Sequence, residues 1–207
     1  MNITFVDFLN KFDFGKIDIN RKIKLMEHAS LLTKEFKKHG TLNLNFICTH
    51  NSRRSILAQM ICIGILRQIQ LRKIFCYSSG LEASTVSNLA MEALKEIGFG
   101  VKEVRDEEDK FVKYKVEYNE RTEVSIFSKL HTDEYVPKEN VIAIMLCSDA
   151  EKNCPVLQNV LHQISLNYAD PAEYDDDEDA LQKYIDKCYE IGNELYFTFI
   201  LVKKSLE

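Results

Sequence analysis

The chain has 207 residues, three prolines, seven glycines and a formal net charge of −5. That length buries one sizeable core but not two large ones, and the acidic balance argues against general nucleic-acid binding. No apolar stretch approaches the roughly 20 residues that span a bilayer, and "MNITFVDFLNKFDF" lacks the basic start and apolar centre of a secretory signal, so a cytoplasmic chain is expected, contacting neither membrane nor nucleic acid, with its six cysteines as thiols.

In chain order, residues 1–40 read as a helical extension. "NITFVDFLNKF" is a short amphipathic piece. "NRKIKLMEHASLLTKEFKKHG" sets Ile23, Leu25, Met26, Leu31, Leu32 and Phe36 near one face and closes on three cations and Gly40, a C-terminal signal. "LNLNFIC" (42–48) reads as a strand, "SILAQMICIGILRQIQL" (55–71) as a buried helix, "KIFCYSSG" (73–80) as a second strand and "STVSNLAMEALKEIGF" (84–99) as a capped helix. Between 110 and 130, two partly alternating stretches around "NE" predict an inserted β-hairpin, with Tyr114 and Tyr118 on a structural edge. "NVIAIMLC" (140–147) and "HQISLNY" (162–168) read as strands, and 177–204 as a long terminal helix.

Strands alternating with helices predict parallel βαβ units, whose sites lie outside the carboxyl ends of the strands. Cys48 and Cys147 each end a predicted strand and Asp170 follows one, so all three belong on the same edge of the sheet.

The stretch "FICTHNSRRS" joins a strand to a helix through a polar loop. Such a loop collects backbone N–H groups, and with the helix dipole it cradles an oxyanion. The same field favours a thiolate at its start, Cys48. Arg54 can curl back to clamp two oxygens of the anion with its fork, and Ser55 can donate its hydroxyl to the sulfur. Thr49, His50, Asn51, Ser52 and Arg53 complete the expected oxyanion-binding set.

"ICTHNSRRS" resembles the phosphate-binding loop of the low-molecular-weight protein tyrosine phosphatase superfamily, C-x-G-N-x-x-R-S. Asn51, Arg54 and Ser55 fall on that pattern's asparagine, arginine and serine, and "YSSG" (77–80) resembles the end of its second strand. "YADPAEY" supplies Asp170 before Pro171, where the resemblance implies the general acid. It also implies an α/β fold with an open, mainly four-stranded parallel sheet flanked by helices. Residues 41–207 would form that phosphatase-like, arsenate reductase-like domain, with 1–40 as the N-terminal helical extension. The pattern's glycine is His50 here, a residue type that tolerates positive φ better than most.

"LCSDAEKNCPVL" (146–157) is similar to the segment of the thioredoxin-coupled arsenate reductases that carries two further cysteines, here Cys147 and Cys154. The resemblance implies that Cys48 attacks arsenate, Cys147 then attacks Cys48, and Cys154 resolves the product into a Cys147–Cys154 disulfide for a thioredoxin-like reductant. On an intact helix those two positions are separated by roughly 10 Å of axial rise, beyond disulfide range, so the turns between them must loosen. The alternatives are a low-molecular-weight tyrosine phosphatase or phosphomonoesterase with a cysteinyl-phosphate intermediate, and a non-catalytic redox sensor.

Some superfamily members hold a potassium ion behind the loop, at positions mapping to Asn51, Gln59, Ser78 and Lys129. Gln59 and Lys129 replace the usual carboxylates, so neither metal nor other cofactor is expected, and the Lys129 ammonium is expected to act as an internal cation. Cys62, Cys76 and Cys188 read as core, the acidic run Asp175–Asp179 as a solvated helix start, and His131 and His162 as lacking partners.

Overall fold

The computed structural model describes residues 3–105, 112–119, 122–148, 157 and 160–207. Four strands form a parallel sheet: β1 (Leu42–Cys48), β2 (Ile74–Gly80), β6 (Val141–Met145) and β7 (His162–Ser165), in the order β2-β1-β6-β7. The central strand β6 is buried throughout and β1 nearly so, whereas edge strand β7 is mostly half-buried. Burial on both faces accounts for the unbroken apolar run of β6, while the buried Asn45 of β1 is satisfied by Ser79 (3.0 Å).

A second, antiparallel sheet holds β3 (Gly100–Val104), β4 (Lys113–Asn119) and β5 (Thr122–Ile126), in that order. The expected hairpin is present as β4 and β5, but β3 was not expected, since "GVKEV" carries a glycine and two charges in five residues. It exists by pairing with β4, which makes β4 the central strand and corrects the edge placement of Tyr114 and Tyr118. Tyr114 is buried and donates its hydroxyl to Asn88 Oδ1 (2.8 Å), while Tyr118 donates to Gln68 Oε1 (3.1 Å).

Among the described residues, the α-helices are α1 (Phe5–Leu9), α2 (Ile19–His39), α3 (Arg54–Gln68), α4 (Asn88–Glu96) and α5 (Ala180–Leu206). A capping box between Thr4 and Asp7 starts α1. Asp18 accepts from the Asn20 and Arg21 amides to start α2, and Gly40, at φ 72°, ends it. Helix α5 packs on α2, α3 and α4. Leu25, Ala29 and Leu32 form the buried stripe of α2, whereas Ile23 and Met26 are more than half exposed, correcting their placement on that face. Successive helical residues lie about 100° apart, so 25, 29 and 32 share a stripe that 23 and 26 do not.

One hydrophobic core runs from the N-terminal aromatics to the parallel sheet. Phe5 packs on Phe99 (ring centroids 4.9 Å apart) and Phe8 on Tyr189 (5.0 Å). These rings press so closely on their neighbours that a Cβ at Gly64 would come within 2.5 Å of Phe5, and one at Gly192 within 2.5 Å of Phe12. Burying each such ring contributes about 1.5–3 kcal/mol, so the N-terminal segment from Phe5 to Leu32 is integral to the core. Cys62, Cys76 and Cys188 are buried as expected, and burial pushes the thiols of Cys62 and Cys188 well up.

Candidate active site

The loop from Cys48 to Arg54 leaves the carboxyl end of β1 and enters α3, whose start has no side-chain cap. The donors of that first turn are therefore available to an anion. Cys48 is buried, with Sγ 3.1 Å from Ser55 Oγ. Asn51 Nδ2 donates to the same Ser55 oxygen (2.8 Å), and Asn51 Oδ1 accepts from the Lys129 amide (2.9 Å). Asn51 has a φ of 45°, whereas His50 has no positive φ. The left-handed turn thus falls on the asparagine, a type that adopts it readily, and histidine at the neighbouring position costs no backbone strain. The His50 imidazole lies 3.3 Å from Glu82, both side chains exposed.

Gly80 is the floor under this loop. A Cβ there would stand 2.7 Å from the Asn51 amide and 2.8 Å from the Thr49 carbonyl. Ser52 ties the loop to the start of α4, donating to the Thr85 carbonyl (2.6 Å) and accepting from the Ser87 amide (3.1 Å).

Arg54 is buried and points back across the loop. Its Nη1 donates to the Tyr168 carbonyl (3.1 Å), its Nη2 pairs with Asp170 Oδ2, and its Nε is buried without a partner among the described residues. Asp170 also accepts from the Ala172 amide (3.2 Å), capping the turn at Pro171–Tyr174. Cys147, two residues past β6, is buried with Sγ 3.4 Å from Thr49 Oγ1. The structure thus brings Cys48, Thr49, Asn51, Arg54, Ser55, Cys147 and Asp170 to one edge of the sheet. Cys154 lies outside the described residues.

Arg53 behaves differently from its neighbour. Its Nε donates to Tyr184 OH (2.6 Å) and its Nη2 to Asp175 Oδ2 (2.5 Å), while Tyr184 OH donates to Asp175 Oδ1 (2.6 Å). Burial works against the guanidinium charge, but these partners outweigh it and raise the Arg53 pKa. Its side chain is committed, so only its backbone is left to serve an oxyanion. The same contacts correct the reading of Asp175 as part of a solvated run: it pins the segment after Asp170 to the loop. The doubled arginine of "NSRRS" was the available signal, though it does not say which arginine turns inward.

Lys129 is buried behind the loop. Its Nζ donates to the carbonyls of Phe127 (3.0 Å) and Ser78 (3.3 Å) and lies 4.3 Å from the Phe127 ring centroid. Burial lowers its pKa from an ordinary 10.5 to about 8, opposed by Asp133. Gln59 donates to the Cys76 carbonyl (3.1 Å). Among the described residues, no group of three or more His, Cys, Asp or Glu side chains is arranged to hold a metal ion, and no helix is long and apolar enough to cross a membrane. His131 and His162 do have partners: the Gly80 carbonyl at 3.3 Å and Glu35 at 3.2 Å.

No protein-family model matches the chain. Curated relatives do: Arsenate reductase 2 of Staphylococcus epidermidis is 30% identical over 127 residues, covering 61% of this chain and 76% of the relative. Arsenate reductase of Staphylococcus aureus (strain Newman) matches with the same identity and coverage. This chain belongs to the arsenate reductase family. Similar solved structures include a Bacillus subtilis YwlE mutant (TM-score 0.47, 16% identity, 81% of this chain and 100% of that one). An arsenate reductase in the phosphate binding state has a TM-score of 0.46 at 16% identity, over 79% of this chain and 98% of that one.

Proposed function

We propose that this protein reduces arsenate to arsenite through a relay of three cysteines. The observation that carries the reading is Cys147 set against Thr49, the residue next to Cys48 on the oxyanion loop. Hydrolysis of a cysteinyl-phosphate needs only water, whereas reduction of arsenate needs a second thiol to attack Cys48.

In this reading the loop and the Arg54 fork hold arsenate while the Cys48 thiolate attacks arsenic. A hydroxide leaves as the S–As bond forms, and Asp170 protonates it to water. The Cys147 thiolate then attacks the Cys48 sulfur. The S–As bonding pair stays on arsenic, which departs as arsenite, and a Cys48–Cys147 disulfide remains. Cys154 attacks Cys147, releases Cys48 and leaves Cys147–Cys154 for a thioredoxin-like dithiol. Two thiols are oxidised as As(V) becomes As(III). Ser55 and Asn51 orient the sulfur, and the amides from Thr49 to Arg53 receive the oxyanion. Lys129 supplies the fixed positive charge behind the loop, so no metal or other cofactor takes part.

The enzyme works in the reducing cytoplasm on a free oxyanion, with neither nucleic acid nor membrane as partner. Residues 41–207 carry the chemistry and residues 1–40 are an extension of that unit. A second reading rests on the set Cys48, Arg54 and Asp170, which suffices for a phosphomonoesterase with a cysteinyl-phosphate intermediate. Turnover of arsenate and of an aryl phosphate, each with and without a thioredoxin system, separates the two. Thioredoxin-dependent arsenite production is expected. Aryl phosphate hydrolysis without arsenite production replaces the first reading with the second.

A further inference from the structure

Arg21 stands at the start of α2, in the helical extension, far in sequence from the oxyanion loop. Its Nε and Nη2 each donate to Glu194 of α5 at 2.8 Å, a two-pronged pair. Glu194 is 7% exposed, and its Oε2 also accepts from Tyr168 OH (2.6 Å). The guanidinium lies 5.1 Å from the Tyr168 ring centroid, and Nη2 reaches the Asn167 carbonyl at 3.4 Å. The Tyr168 side chain is therefore gripped on its face and at its hydroxyl.

The backbone of Tyr168 is a junction of the candidate site. Its carbonyl accepts from Arg54 Nη1, its amide donates to Leu146 (3.0 Å), the residue before Cys147, and Asp170 follows two positions on. Arginine, acid and second cysteine are thus all referred to one residue. A buried carboxylate such as Glu194 is tolerated only with a compensating cation and satisfied oxygens. Arg21 is that cation. Without it Glu194 would turn toward water, and the Tyr168 hydroxyl would lose its acceptor.

We infer that Arg21 is a positioning residue, acting through Glu194 and Tyr168 to hold Arg54 and Asp170 in register with the oxyanion loop. This rests on the proposed use of those two residues, and it gives the helical extension a task in the site as well as in the core.

The test compares full-length wild type with Arg21→Ala, Arg21→Lys, Tyr168→Phe and the Arg21→Ala/Tyr168→Phe double variant, each held well below its own unfolding temperature. Inorganic phosphate binding by titration calorimetry is read alongside kcat and KM for arsenate and aryl phosphate. Arg21→Ala and Tyr168→Phe should each weaken phosphate binding several-fold and lower kcat about tenfold, the scale of a small misplacement of catalytic groups. The double variant should be no worse than Arg21→Ala, since both changes cut one chain of contacts. Arg21→Lys should recover part of the loss, keeping the charge without the fork. A lowered Tm with phosphate Kd and kcat unchanged would make Arg21 a purely structural partner and overturn the inference. Should Arg21→Ala fail to fold, Tyr168→Phe decides, and wild-type values there overturn it equally. A wild type that turns over neither substrate refutes the proposed function instead, and the brace is still judged by phosphate affinity. Wild type that binds no phosphate refutes both.

Discussion

Replacing Lys129 with methionine removes a buried ammonium and keeps most of its shape. Burial holds this group at about 8 against an ordinary 10.5, which costs its charged form about 3 kcal/mol at neutral pH. Its depressed folded-state pKa means that the unfolded chain binds more protons between pH 8 and 10.5. Stability contributed through Lys129 therefore rises with pH across that window and is flat below it. The steepest part of the rise is about 1.4 kcal/mol per pH unit. Urea unfolding of wild type and Lys129→Met, under reducing conditions at intervals from pH 7 to 10, isolates the effect, because other titrating groups cancel in the difference. Wild type should gain on the variant steadily above pH 8. Saturating phosphate should move the onset upward, because an anion on the loop favours the charged lysine. A difference between the two proteins that stays constant over the whole pH range would refute the buried-cation account of the loop.

Two further outcomes follow from the site geometry. Asp170→Asn should slow single-turnover arsenate consumption about 100-fold or more without weakening phosphate inhibition, since it releases Arg54 from its ion pair; an unchanged single-turnover rate removes Asp170 from the chemistry. Asn51→Ala breaks the bonds to Ser55 and to the Lys129 amide and leaves alanine at a φ of 45°, which together should cost about 2–4 kcal/mol in urea unfolding, and a loss below about 0.5 kcal/mol, no more than an ordinary surface substitution, would show that Asn51 does not hold the loop.

The main sheet was legible because its signals are local. "LNLNFIC" coincides with β1, and the apolar run before Cys147 contains β6. Gly40 marks a helix boundary that the structure keeps, whereas the helix expected over 84–99 spans only Asn88–Glu96, its start set by the Ser87 cap. Strand β3 was hidden because its five residues have weak strand character alone and are held by pairing with β4. At the site, the convergence of Cys48, Arg54 and Ser55 could be read from spacing and Asp170's place on the same edge from its position after a strand, whereas the role expected of Asp170 came from the resemblance. The Arg53–Asp175–Tyr184 tie and the Arg21–Glu194–Tyr168 brace could not, because each joins residues more than a hundred positions apart. An arginine is brought to a carboxylate this distant in sequence by tertiary packing, which no periodicity records. The turn around Asn51 shows a smaller version of the same limit: the unusual residue was His50, yet the backbone strain falls on its neighbour.

The central claim, that three cysteines act in sequence on arsenate, is tested most directly by mapping disulfides after one arsenate exposure without thioredoxin. Wild type should yield one equivalent of arsenite and a Cys147–Cys154 bond. Cys154→Ser should yield one equivalent and stop at Cys48–Cys147, because the resolving thiol is missing. Cys147→Ser should form no arsenite, and Cys48→Ser should react with neither arsenate nor aryl phosphate, a hydroxyl being a far poorer nucleophile at neutral pH. Arsenite released while Cys147 and Cys154 both remain thiols would contradict the relay.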